Sequence, residues 1–159
     1  MPNPIERAAA LREVLNYSDS DIALVRESMD MLVGRVGVLM GEISGRLVGG
    51  SGEEAFFDDD PDRAQEFGSQ LSEFVMKATA GKFTDEYCEF VAAFPSRLSK
   101  RPPMGAFIAS IGVISGWLCH TVGEALRAEP DRIGPMLAAW QKMLAVNLAL
   151  LVSSYDQPE

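Results

Sequence analysis

His120 is the only histidine in the chain, set between Cys119 and, one helical turn on, Glu124. Imidazole, thiol and carboxylate are the groups that do nucleophilic, acid–base and metal chemistry near neutral pH. The spacing removes most of it. Neighbouring helical residues point about 100° apart, so Cys119 and His120 form no dyad. No serine, histidine and aspartate follow in catalytic order, and no glycine-rich phosphate loop sits beside a strand. No carboxylate pair faces a cleft, so no enzyme chemistry is expected. Cys88 and Cys119 fit no disulfide framework or metal spacing and read as buried thiols. Glu53, Glu54, Asp58, Asp59, Asp60 and Asp62 lack the alternating oxygens of a calcium loop and read as a solvated connection between helices. His120 reads as a partly exposed or interface residue able to pair with Glu124. An interface pH switch and iron ligation to a rotated cofactor are its sharper alternatives.

These residues must be positioned by helices. A short helix is expected over Pro4 to Val14. Ser18, with Asp21 three residues on, opens a long helical region that runs to Val48 with one break. Its apolar residues Ile22, Val25, Met29, Leu32 and Val36 recur every three to four positions. Gly49, Gly50, Ser51 and Gly52 end it. Pro61 suits the first turn of the next helix, which aligns Phe67, Leu71, Phe74 and Ala78 and closes at Gly81. Thr84 is the expected cap of a helix presenting Tyr87, Phe90, Val91 and Phe94, weakened at Pro95. After Pro102 and Pro103 come two long helices, Met104 to Arg127 and Asp131 to Tyr155. No strand pattern or internal repeat competes, so the fold class is all-α.

The last two helices carry stripes in alternating steps of four and three: Phe107, Ile111, Ile114, Leu118, Thr121 and Ala125, then Ile133, Leu137, Trp140, Leu144, Asn147 and Leu151. Such seams suit an antiparallel hairpin. Two hairpins from two chains would make a four-helix bundle, in which Asn147 would cost stability but fix register. Equally, both stripes can face the domain's own core. Glycine costs roughly 1 kcal/mol relative to alanine inside a helix. Yet Gly34, Gly37, Gly41 and Gly45 recur in the first long region, and Gly105, Ala109, Gly112, Gly116, Cys119 and Gly123 line the penultimate helix. A tight crossing of these two helices is expected, with room for a ligand as the alternative.

Four segments together carry a resemblance. They are the opening Leu15-Asn16-Tyr17-Ser18-Asp19-Ser20-Asp21-Ile22-Ala23-Leu24, Arg46-Leu47 with Phe56-Phe57 after it, Gly81-Lys82-Phe83-Thr84-Asp85-Glu86-Tyr87, and Leu144 to Leu150 with Tyr155. In order and spacing they resemble the sensor-type globins, the protoglobins and globin-coupled sensors, from Leu15 to Tyr155. The resemblance implies a globin-like fold with an extra N-terminal helix, as a single sensor domain spanning residues 1–159. In that family a histidine near the end of the fifth core helix ligates haem iron, but its position here falls at Leu98, or at Ser96 with a shorter loop. The tyrosine that often steadies bound oxygen is replaced near Ser44, after Ile43. Neutral imidazole is the common haem ligand and nothing on that helix supplies it. The chain therefore resembles the haem-free globin domains of stress-response sensors and related sporulation-control proteins, some of which hold fatty acid.

No cofactor is then expected. The implied function is regulatory, with a candidate pocket for a small apolar ligand at Phe67, Leu71, Phe74, Phe90, Phe94 and Leu98. The resemblance also implies a homodimer through Trp117, His120, Trp140, Leu144, Asn147 and Leu151. Relatives continue into an output domain, so a separate signalling partner or an excised domain is implied. The rivals are a haem gas or redox sensor ligated by His120, with tetrapyrrole attachment at Cys88 a remoter variant, and a ligand-free interaction module. At 159 residues the chain is long enough for one full core, and a net charge of -9 argues against nucleic acid and anionic lipid. No apolar run reaches the roughly 18 residues of a membrane span, and the charged start lacks a secretory block, so a cytoplasmic location is expected.

Overall fold

The computed structural model describes residues 3–48 and 61–156, with backbone alone at 44, 46–48, 61 and 64. The glycine run at 49–52 and the acidic residues at 53–60 lie outside them. The described residues form helices and turns only. They build α1 (Pro4–Val14), α2 (Asp19–Leu32), α3 (Val36–Val48), α4 (Pro61–Ala78), α5 (Asp85–Arg97), α6 (Met104–Ala125) and α7 (Ile133–Ser153). A tight three-residue turn, Val33–Arg35, joins α2 to α3 and is the single break expected from sequence. Similar turns flank α7 at Pro130–Arg132 and Ser154–Asp156.

The helix starts follow from capping chemistry. Asn3 accepts from the Glu6 N–H at 2.8 Å while Glu6 reaches back to the Asn3 N–H at 3.2 Å. Thr84 Oγ1 accepts from the Tyr87 N–H at 3.2 Å. Pro95 lies close to the end of α5, so the hydrogen bond it forfeits does not divide the helix. Gly81 follows α4 at φ +68°, a left-handed conformation that glycine adopts without the cost a Cβ brings. Its carbonyl accepts from the Tyr17 hydroxyl at 2.6 Å, which ties the α4–α5 connection to the start of α2.

α7 is the centre of the fold. It packs against α1, α2, α5 and α6, while α3 lies on α6 and α4 lies on α3. Met136, Ala139, Val146 and Leu150 of α7 are wholly buried. Two polar links fix its rotation. Trp140 Nε1 donates to Ser28 Oγ at 2.8 Å, and Ser28 donates on to the Val25 carbonyl at 2.6 Å. The Tyr87 hydroxyl donates to Asn147 Oδ1 at 2.6 Å, and Asn147 Nδ2 donates to the Met143 carbonyl at 2.9 Å. Burial pushes the Tyr87 hydroxyl far above its usual range, so it stays a donor. Burial, reinforced by Asp21, raises Tyr17 to about 12.

Asp21 is the buried charge of this frame. Its carboxylate accepts from the Ser18 N–H at 2.9 Å and from Lys142 of α7 at 3.2 Å. Burial acts to raise its pKa, but the Ser18 N–H and Lys142 together outweigh that and hold it below the ordinary value. A depressed carboxyl contributes stability that is full above its unfolded pKa and is lost as pH falls through the folded one. Asp21→Asn is therefore expected to cost about 1–3 kcal/mol at neutral pH. Urea unfolding at neutral pH and near about pH 2 checks this, the gap closing in acid.

Two expectations are corrected by the packing. A Cβ built at Gly34, Gly37, Gly41, Gly45, Gly105, Gly112, Gly116 or Gly123 meets nothing within 4 Å, so the glycines do not mediate a tight crossing. Leu39 on α3 and Ile114 and Leu118 on α6 instead line a shared apolar cleft. Small residues permit close approach without requiring it, and here they face outward. The second correction concerns apolar length. Met104–Ala125 and Pro130–Asp156 are both long and apolar enough to cross a membrane by length and composition. Only 39% of the apolar window in the first and 50% in the second is buried inside the protein, so their apolar character extends to the outer surface.

Candidate functional site

The six residues expected to wall a pocket come together in the core, where Leu71, Phe74 and Phe94 border a small void. Phe67, Leu71, Phe74, Phe94 and Leu98 are buried, and Phe90 is half-buried. The Phe94 ring sits 5.3 Å from Phe74, 6.1 Å from Phe90 and 6.1 Å from Phe107. Phe67 adds a contact to Phe107 at 6.4 Å. Lys77 and Arg97 cover the outer side of Phe90, 4.0 and 4.9 Å from its centroid. Aromatic edges thus occupy the space that a flat cofactor would need.

The haem of the rival reading does not fit these residues. Leu98 ends α5 as a buried apolar side chain, and Ser96 is exposed. The Ser44 side chain lies outside the described residues, and Ile43 is buried. His120 is 74% exposed on the outer side of α6, with Nε2 at 3.6 Å from Glu124. Glu124 also lies 3.8 Å from Arg35. His120 therefore belongs to a surface polar cluster and is not directed at the core. Among the described residues no three metal-ligating side chains converge.

The expected dimer residues divide between core and surface. Trp140, Leu144, Asn147 and Leu151 are buried within the protomer, so their stripe is spent on the domain's own core. Its partner stripe behaves alike, with Phe107, Ile114, Leu118 and Thr121 buried and only Ala125 exposed. Trp117 is half-buried and His120 is exposed. The outward face of this hairpin is a different set. It comprises Ile108, Gly112, Gly116 and Cys119 on α6, and Ala138, Gln141 and Ala145 on α7. Ser115 and Gln141 hydrogen-bond at 2.8 and 3.1 Å, which makes the two helix faces one surface. No Asp, Glu, Lys or Arg occurs from Met104 to Gly123, and the only one in α7 is Lys142, turned to Asp21. Cys119, expected to be buried, is exposed; Cys88 is buried, and burial raises its thiol pKa.

An open apolar cleft does exist, displaced from the expected place. It encloses about 490 Å³ of atom-free space, mouth included. α2 contributes Met29 and Leu32, α3 Val36 and Leu39, and α4 Phe74, Val75, Ala78 and Thr79. Its far wall is Ile114, Trp117 and Leu118 of α6 with Trp140, Met143, Leu144 and Asn147 of α7. Of the six expected residues only Phe74 borders it. Both tryptophans of the chain stand on its wall. A smaller void of about 250 Å³ lies behind Leu71, Phe94 and Phe107.

Comparison with known protein families and with curated protein sequences finds no match for this chain.

Proposed function

We propose that this all-α chain is a regulatory domain of the sensor-globin type, working without haem. A small apolar molecule in the cleft is its input, and pairing of two copies through the outer face of α6 and α7 is its output. One observation carries the reading. The helices that present an uncharged outer surface are the same two that supply the cleft's far wall. Filling the cleft bears on the inner sides of α6 and α7 and so biases how their outer sides meet a partner. A switch requires such an element with two packings, each favoured by a different ligation state.

The choice of a second copy rests on charge. At a net charge of -9 two chains repel, except where a surface carries no charge to bury. The α6–α7 face fulfils that condition, and its glycines allow close approach in a two-fold arrangement. Sedimentation over a range of concentrations, with flotation on neutral vesicles, tests the proposal. A reversible dimer that leaves the vesicles alone is expected. A monomer at all concentrations, or a chain that floats with lipid, contradicts it.

A further inference from the structure

We propose that the cleft takes a compact, uncharged hydrocarbon, aromatic or branched, and rejects molecules that must bury a carboxylate. This rests on the ligand-binding reading above and specifies its chemistry.

Among the described residues, what faces the space is apolar surface. Trp140 Nε1 is committed to Ser28 Oγ at 2.8 Å. Asn147 Oδ1 accepts from Tyr87, and its amide donates to Met143. The Thr79 hydroxyl donates to the Met76 carbonyl at 2.5 Å. No charged residue among those described lines the space. A carboxylate placed inside would lose its hydration and gain no partner, which is strongly unfavourable. The cation adjacent to the lining residue Val36 is Arg35, and it is engaged by Glu124 at 3.8 Å.

Wall chemistry narrows the class further, and the narrow space between α3, α4, α6 and α7 limits it to compact molecules. Trp117, Trp140 and Phe74 offer aromatic faces and edges, while Met29 and Met143 offer polarizable sulfur. Those surfaces suit ring edges and branched alkyl groups.

The experiment uses the full chain, with toluene and naphthalene as neutral probes and decanoate as the carboxylate. Thermal unfolding and tryptophan fluorescence are read together, because both tryptophans border the cleft. The neutral probes are expected to raise the Tm by roughly 3–6 °C at a ten-fold excess over Kd and to change the emission. Decanoate is expected to do neither. Ala78→Leu, which fills the cleft from α4, is expected to abolish the response. Val36→Phe at the half-buried edge serves if that variant fails to fold. Stabilisation by decanoate and not by the neutral probes overturns this inference but leaves ligand binding standing. A neutral-probe response that survives both filling variants places the probes elsewhere and overturns it too. No response to any probe overturns both.

Discussion

Phe94→Ala is expected to lower the stability of the protein by about 3–5 kcal/mol, the range for deleting a buried phenylalanine. Phe94 is 1% exposed and its ring touches Phe74, Phe90 and Phe107, which belong to α4, α5 and α6. Truncation removes three aromatic contacts at once and leaves a hole that three helices would have to shift to close. The loss should appear in the urea midpoint with the slope unchanged. A cost under about 1 kcal/mol would mean that these rings border open space and have little packing to lose. The outcome therefore distinguishes a filled core from a pocket at the place where sequence analysis put the ligand.

Gly112→Arg is expected to weaken self-association at least about 100-fold, because a two-fold interface would bring two like charges together on a face that carries none. The protomer should not suffer. A side chain at Gly112 meets nothing within 4 Å, and arginine is a better helix former than glycine by somewhat under about 1 kcal/mol. The paired result separates interface from fold: a monomer that unfolds no earlier than the parent. Ala9→Arg, on the exposed side of α1, is the control and should leave the association unchanged. Equilibrium sedimentation and thermal unfolding of the three proteins make the comparison. An unchanged dimer in Gly112→Arg would exclude this face.

The features legible in the sequence were those with local causes. The Pro4 start, Pro61 at the head of α4, Thr84 as a cap and Gly81 as a left-handed stop each depend on the chemistry of a few neighbouring residues. The site was not local in that way. Periodicity shows that Phe67, Leu71, Phe74, Phe90 and Phe94 face inward, but not whether their rings interlock or stand apart. That depends on helix separation and rotamers, which the stripe does not encode. α6 posed a second ambiguity. It is apolar on nearly every side, so a seam through Phe107 and Leu118 and an outer face through Gly112 and Gly116 were equally readable. Only the placement of α7 beneath it decided which stripe is buried. The buried Asn147 points the same way. A polar residue in a seam suggested register between chains, and the structure instead joins it to Tyr87 on α5.

The central claim is that the cleft and the α6–α7 face share one equilibrium. Its most direct test is the dimer dissociation constant measured by sedimentation in sealed cells, without toluene and with toluene at saturation. Coupled sites require that the constant shift, and couplings of this kind are about 5–150-fold. A shift in that range, abolished by Ala78→Leu, is the expected result. Toluene that binds, as read by tryptophan emission, while the dissociation constant stays the same would contradict the account.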